Sequence, residues 1–157
     1  MAKLASMKKS NHPLSSIEHQ IEERDLVIIE DRGNISNWGQ SFVSPNMIIV
    51  LVHQGWMRLD YDMQPMKIQP QDNLLFMPGH LIMTHEASDD YRASLLVISP
   101  EFLAYIRQMH PNHYHAEYHG SMVFQLTDSQ YQTICACYKL LHDISLFFNE
   151  RFKRVDV

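Results

Sequence analysis

From Leu26 onward, short apolar runs alternate with turn residues. The runs are Leu26 to Ile29, Phe42-Val43, Met47 to Val52, Met57 to Tyr61, Met66 to Ile68, Leu74 to Met77, Leu81 to Met83 and Leu95 to Ile98. Between them stand Arg32-Gly33-Asn34, Ser44-Pro45-Asn46, Gln54-Gly55 and Pro78-Gly79. Many short strands punctuated this closely predict a β-sandwich or barrel. Met47-Ile48-Ile49-Val50-Leu51-Val52 is apolar without interruption, the pattern of a strand buried on both faces. After His53-Gln54-Gly55, the segment Trp56-Met57-Arg58-Leu59-Asp60-Tyr61 alternates with period two, which predicts a second strand and a bend at Gly55.

Beyond Ile98 the periodicity becomes helical. Ser99-Pro100-Glu101 supplies an N-cap, a proline at the first helical position and an acid in the first turn, opening a helix of about ten residues. His110 to Gly120 is a loop rich in His, Tyr, Pro and Asn, and Met122-Val123-Phe124 is extended. Thr127-Asp128-Ser129-Gln130 is a capping box. With no Gly or Pro from Ser121 to the end, the helix it opens can run to Asn149, about 35 Å. Tyr131, Ile134, Tyr138, Leu141 and Phe148 form one apolar stripe on it; Cys137, Leu140, Ile144 and Phe147 form another. One stripe covers a barrel; two imply either a deeply buried helix or a second surface for a partner, and a partner helix in a homodimer is the favoured reading. Residues 1 to about 16 are polar and aperiodic and read as an arm.

Composition narrows the class. The 157 residues suit one domain, and 45% apolar with 20% charged residues is the balance of a globular protein. The longest apolar run is too short to span a bilayer, and no apolar stretch follows Lys3, Lys8 and Lys9, so a cytoplasmic location is expected. A net charge of -5 with dispersed basic residues excludes DNA binding by this segment alone. Cys135 and Cys137 are two apart on a helix, cannot bridge each other, and read as buried free thiols.

The stretch Met47 to His80 resembles the sensing domain of AraC-type transcription regulators, a cupin barrel. In that family a hydrophobic strand, a glycine bend and a second strand lead to a Pro-Gly-Asp turn, an apolar run and a Pro-Gly turn. Here the first turn is Pro70-Gln71-Asp72, with Gln71 replacing the usual glycine, while Leu74 to His80 fits well. The strand running into Ser99-Pro100-Glu101-Phe102 and the helix opening at Leu126-Thr127 resemble the family too.

The resemblance implies a mainly β fold with C-terminal helices. A cupin-like jelly-roll barrel, or double-stranded β-helix, would be followed by a short helix and a long dimerisation helix. The corresponding division is an arm at 1–20, barrel strands at 21–98, and a helical dimerisation segment at 99–157 with a loop at 109–126. It further implies a small-molecule effector, a homodimer, and contact with DNA only through a helix-turn-helix domain. No such unit lies before Val157, so the chain reads as a fragment.

Catalysis is not expected. Metal-dependent cupins hold their metal with a His-x-His pair, a carboxylate and a later His. The early strands here have only His53, and a lone His85 in the late position does not make a metal site. His110, His113, His115 and His119, with Glu117, could bind a metal from their loop, on compositional grounds alone. No Gly-x-Ser-x-Gly and no phosphate-binding glycine loop occur. No cofactor is expected. What remains is a ligand pocket, with His53, Trp56, Arg58, Tyr61, His80 and His85 as candidate lining for a sugar or small organic metabolite. The alternatives are a stand-alone non-catalytic cupin binding module and, more distantly, a cupin enzyme.

Overall fold

The computed structural model describes residues 25–32, 41–109 and 123–151. The arm at 1–20 and the histidine-rich loop lie outside these residues, as do the side chains of Phe147 and Phe148. Nine strands and two helices are formed among the described residues: β1 (Leu26–Arg32), β2 (Ser41–Val43), β3 (Met47–Gln54), β4 (Met57–Tyr61), β5 (Gln64–Ile68), β6 (Asp72–Phe76), β7 (Leu81–Ala87), β8 (Arg92–Ile98), α1 (Pro100–Met109), β9 (Val123–Gln125) and α2 (Asp128–Arg151).

Pairing follows one rule. β1 pairs with β8, β2 with β7, β3 with β6 and β4 with β5, all antiparallel. This is a single long hairpin wound on itself, and it yields two sheets in the orders β1-β8-β3-β6-β9 and β2-β7-β4-β5. Eight strands in that order make a jelly roll, the topology expected of a cupin-like barrel. The ninth strand, from the segment between the helices, extends the larger sheet beside β6.

The hairpin folds back at Asp62-Met63, where both φ angles are positive, at 48° and 65°. That is the two-residue turn whose twist matches the strands. The Pro70-Gln71-Asp72 turn also needs the left-handed conformation: Gln71 has φ 70°. Glycine adopts this conformation without cost, which is the physical reason glycine suits that position.

Two apolar layers hold the fold. Between the sheets, Ile48, Val50 and Val52 meet Leu59, Ile68, Leu74, Tyr91 and Val97. On the far side of the larger sheet, Met47, Leu51, Leu96 and Ile98 lie under Leu103 of α1 and Tyr138 of α2, with Tyr131, Ile134 and Cys135 packed alongside. The uninterrupted apolar run of β3 follows, since each of its faces fills a different layer.

Both helix starts are capped as the sequence predicts. The Phe102 N–H donates to Ser99 Oγ at 3.1 Å. Gln130 N–H donates to Thr127 Oγ1 at 3.3 Å while Thr127 N–H donates to Gln130 Oε1 at 3.0 Å, a reciprocal capping box. Among the described residues, no helix is long and apolar enough to cross a membrane.

Candidate functional site

The six residues expected to line a pocket lie in three places. Tyr61 alone points between the sheets. It is buried, its ring lies against Phe76 at 5.4 Å, and its hydroxyl oxygen accepts from the Met77 N–H at 3.3 Å. Burial pushes its pKa above the usual phenol value. His80 caps Tyr61 at the rim, stacked at 5.2 Å. Its Nδ1 pairs with Asp62, whose Oδ1 also accepts from the Leu81 N–H at 2.9 Å. These bonds hold Asp62 below the usual carboxylate range.

His53 lies on the helix side of the larger sheet. Its Nδ1 is 2.6 Å from the Tyr131 hydroxyl of α2, and its Nε2 is 2.6 Å from Ser94 Oγ on β8. Buried polar groups must be satisfied, and here the satisfaction ties three elements together. His53 is therefore a structural tie between sheet and helix.

The remaining three, Trp56, Arg58 and His85, gather at the outer face of the smaller sheet. Period-two alternation on β4 sends Met57, Leu59 and Tyr61 inward and Arg58 and Asp60 outward. On β7, Arg58 pairs with Glu86 but Leu59 pairs with Thr84, leaving His85 as the extra residue of a β-bulge. The bulge restarts the alternation, so His85 and Glu86 both face outward. Arg58 forms an ion pair with Glu86, and His85 Nε2 stands 2.9 Å from Asp60 Oδ2. Lys67 of β5 lies directly across from Arg58. The Lys67 ammonium sits 4.8 Å from the centre of the Trp56 ring, and the Arg58 guanidinium carbon 5.9 Å from it.

An open depression of about 640 Å³ lies on this face, lined by Arg58, Leu59, Asp60, Pro65, Met66, Lys67, His85 and Glu86. Sequence reasoning missed Asp60, Lys67 and Glu86. The first two were readable as outward neighbours of Arg58; Glu86 was not, because a bulge leaves no mark in the residue pattern. Between the sheets, the described side chains form a close-packed apolar core.

The four residues assigned to a partner lie on α2. Cys137 is exposed, Leu140 is 60% exposed and Ile144 41%, while the Phe147 side chain lies outside the described residues. Leu146, not assigned to either stripe, is 51% exposed. The buried-thiol reading holds in part for Cys135, which packs against the core, and fails for Cys137, which the helix turns outward. Among the described residues, no three His, Cys, Asp or Glu side chains are grouped to hold a metal ion.

No protein-family model matches this chain, and no curated protein does. Solved structures share its general form. An RmlC-like cupin protein with a double-stranded β-helix fold from Methanocaldococcus jannaschii aligns over 50% of this chain and 72% of its own, at 13% identity and a TM-score of 0.35. ToxT from Vibrio cholerae aligns over 81% of this chain at 9% identity and a TM-score of 0.48. A further ToxT structure, bound to (E)-4-(8-methylnaphthalen-1-yl)but-3-enoic acid, aligns over 85% at 12% identity and a TM-score of 0.45. This chain spans 56% and 57% of those two ToxT chains. At such scores the likenesses carry no functional argument, and the jelly roll rests on the strand order.

Proposed function

We propose that this chain is the effector-sensing and self-associating domain of an AraC-type transcription regulator. It is read as non-catalytic, acting in the cytoplasm and governing a helix-turn-helix domain outside this sequence. The observation that carries the reading is the division of α2. One face, through Tyr131, Ile134, Cys135 and Tyr138, is seated on the jelly roll, and the other presents Cys137, Leu140 and Ile144 to solvent. The three residues are spaced three and then four apart, the interval at which one helix meets another. A second copy of the same helix supplies the matching surface, as a two-fold axis requires.

Such an arrangement couples two functions physically. A helix fixed to the sheet on one side and to a partner on the other transmits any shift in its seating to the spacing of the two subunits. Sedimentation velocity is the test. The chain is expected to sediment as a dimer at about 100 µM and Ile144→Glu as a monomer that keeps the wild-type circular dichroism spectrum. A wild-type chain that remains monomeric at that concentration overturns the self-association.

A further inference from the structure

The turn between β5 and β6 touches both the interior of the jelly roll and the start of α2. Its four residues, Gln69-Pro70-Gln71-Asp72, close on themselves through a bond from the Asp72 N–H to the Gln69 carbonyl at 3.0 Å. Proline at the second position and a left-handed Gln71 at the third are the pattern of a type II turn. Asp72 opens β6, and the alternation of that strand puts it on the same face as Leu74 and Phe76, between the sheets. Its carboxylate is buried there and accepts from the Gln69 N–H at 2.9 Å, which clamps the turn from inside.

The outer side of the same turn holds residues 125–128. The Gln71 carbonyl accepts from the Leu126 N–H at 3.0 Å, and the Pro70 carbonyl from Gln125 Nε2 at 3.3 Å. Gln69 Nε2 donates to Gln125 Oε1 at 3.1 Å and Gln71 Nε2 to Asp128 Oδ1 at 2.9 Å. Each such bond contributes little alone at an exposed site. Together they set where α2 begins, just before the Tyr131 that His53 holds. Two local costs sit at this junction. One is the left-handed backbone of Gln71; the other is Asn73 Oδ1, buried with no hydrogen-bond partner among the described residues. Costs of this kind concentrate where a fold has a second arrangement within reach.

We infer that the β5–β6 turn is the relay between the barrel interior and α2: a group that competes for the Asp72 carboxylate loosens the turn and, through Gln71, the first turn of the helix. This coupling rests on the sensing-domain reading and supplies its route of regulation. Coupling is carried by contiguous bonded groups, and Asp72, Gln69, Gln71 and Asp128 form such a chain.

Amide hydrogen exchange followed by nuclear magnetic resonance tests the relay. The Tyr131 N–H, bonded to the Thr127 carbonyl at 2.8 Å, reports on the first turn of α2; the Leu103 N–H, bonded to the Ser99 carbonyl at 2.9 Å, is the control in α1. Asp72→Asn keeps the shape of the side chain and removes its charge, and should lower the protection of Tyr131 roughly fivefold with Leu103 unchanged. In a Gln71→Ala background, which lacks the bond to Asp128, the same change should lower it by roughly twofold or less. Equal loss at Tyr131 and Leu103, an undiminished effect in the Gln71→Ala background, or no effect at Tyr131 would overturn the relay. Sedimentation keeps the two proposals apart. Coupled exchange in a monomeric chain retains the relay and loses the dimer, whereas a dimer whose Tyr131 exchange ignores Asp72 does the reverse.

Discussion

The imidazole of His53 on β3 and the hydroxyl of Tyr131 on α2 are 2.6 Å apart, and this bond joins the long helix to the larger sheet. The other ring nitrogen meets Ser94 at the same distance, so one side chain links two strands and a helix. Around the link the contacts are apolar, through Leu51, Leu96 and Tyr138, whose own hydroxyl donates to the Ile49 carbonyl at 3.4 Å. Apolar burial supplies the larger share of the attachment energy; the polar bonds fix where along the sheet the helix sits.

Removing that bond should weaken the fold by a predictable amount. Tyr131→Phe removes the bond to His53 and should cost about 1 kcal/mol, whereas His53→Ala removes both of the imidazole's bonds and should cost about 2 kcal/mol. Urea unfolding monitored by circular dichroism measures both. A Tyr131→Phe protein as stable as the wild type would show that the bond adds nothing to the seating of α2.

Two carboxylates give opposite pH signatures. Asp62 is held below its ordinary value of 3.8, first by its bond to His80 and then by the Leu81 amide. Its folded pKa lies below its unfolded one, so its contribution is present above about pH 4 and is lost as the pH falls through the folded value. Asp72 is buried, and desolvation raises its pKa above 3.8 against the opposing bond from the Gln69 N–H. The folded state therefore holds the Asp72 proton more tightly than the unfolded chain, and its contribution grows as the pH falls toward 3.8. Unfolding free energy measured from pH 2.5 to 7 should become less steep in the acid range for Asp62→Asn and steeper for Asp72→Asn. Identical profiles for the two variants would refute the assignment.

The two glycines with positive φ among the described residues should differ sharply. At Gly55, φ is 70° and an added Cβ would lie 2.8 Å from the Tyr91 Cα and against the Ser88 hydroxyl. Backbone must move to admit it. At Gly79, φ is 83° and nothing lies within 4 Å of an added Cβ. Gly79→Ala should cost about 1 kcal/mol of conformational strain, and Gly55→Ala about 3 kcal/mol or more. Thermal melts distinguish them, and equal losses at the two positions would mean that the crowding at Gly55 is relieved by side-chain rearrangement alone.

The strands were legible because each apolar run fills a defined layer. Met47 to Val52 reads as doubly buried and is, and the helix caps at Ser99 and Thr127 were explicit in residue type. The site was less legible. Alternation divides Trp56 to Tyr61 into two faces but does not say which face meets the core, and Arg58 was placed with Tyr61 although the sheet separates them. His53 carries the signature of a ligand-binding residue, yet its partners Ser94 and Tyr131 are distant in sequence and came together only through the wound hairpin. The turn at Asp62-Met63 lacks the Asn-Gly signature, so its position did not announce itself.

Gln71 gives the most direct test of the turn chemistry. An L-residue at φ 70° carries roughly 1–2 kcal/mol of strain, which glycine would release. Against this, Gln71→Gly loses the bond from Gln71 Nε2 to Asp128 Oδ1 at 2.9 Å. Because that bond is exposed, its loss should cost less than about 1 kcal/mol, and the greater freedom of glycine in the unfolded chain adds about 0.4–1 kcal/mol of cost. The terms nearly offset, leaving Gln71→Gly within about 0.5 kcal/mol of the wild type. Gln71→Ala keeps the strain and loses only the bond, so it should be the less stable of the two. Gln71→Val, with a branched Cβ at positive φ, should fall lowest. Chemical unfolding ranks the three, and a Gln71→Gly protein less stable than Gln71→Ala would show that the turn draws its stability from a source other than relief of the left-handed backbone.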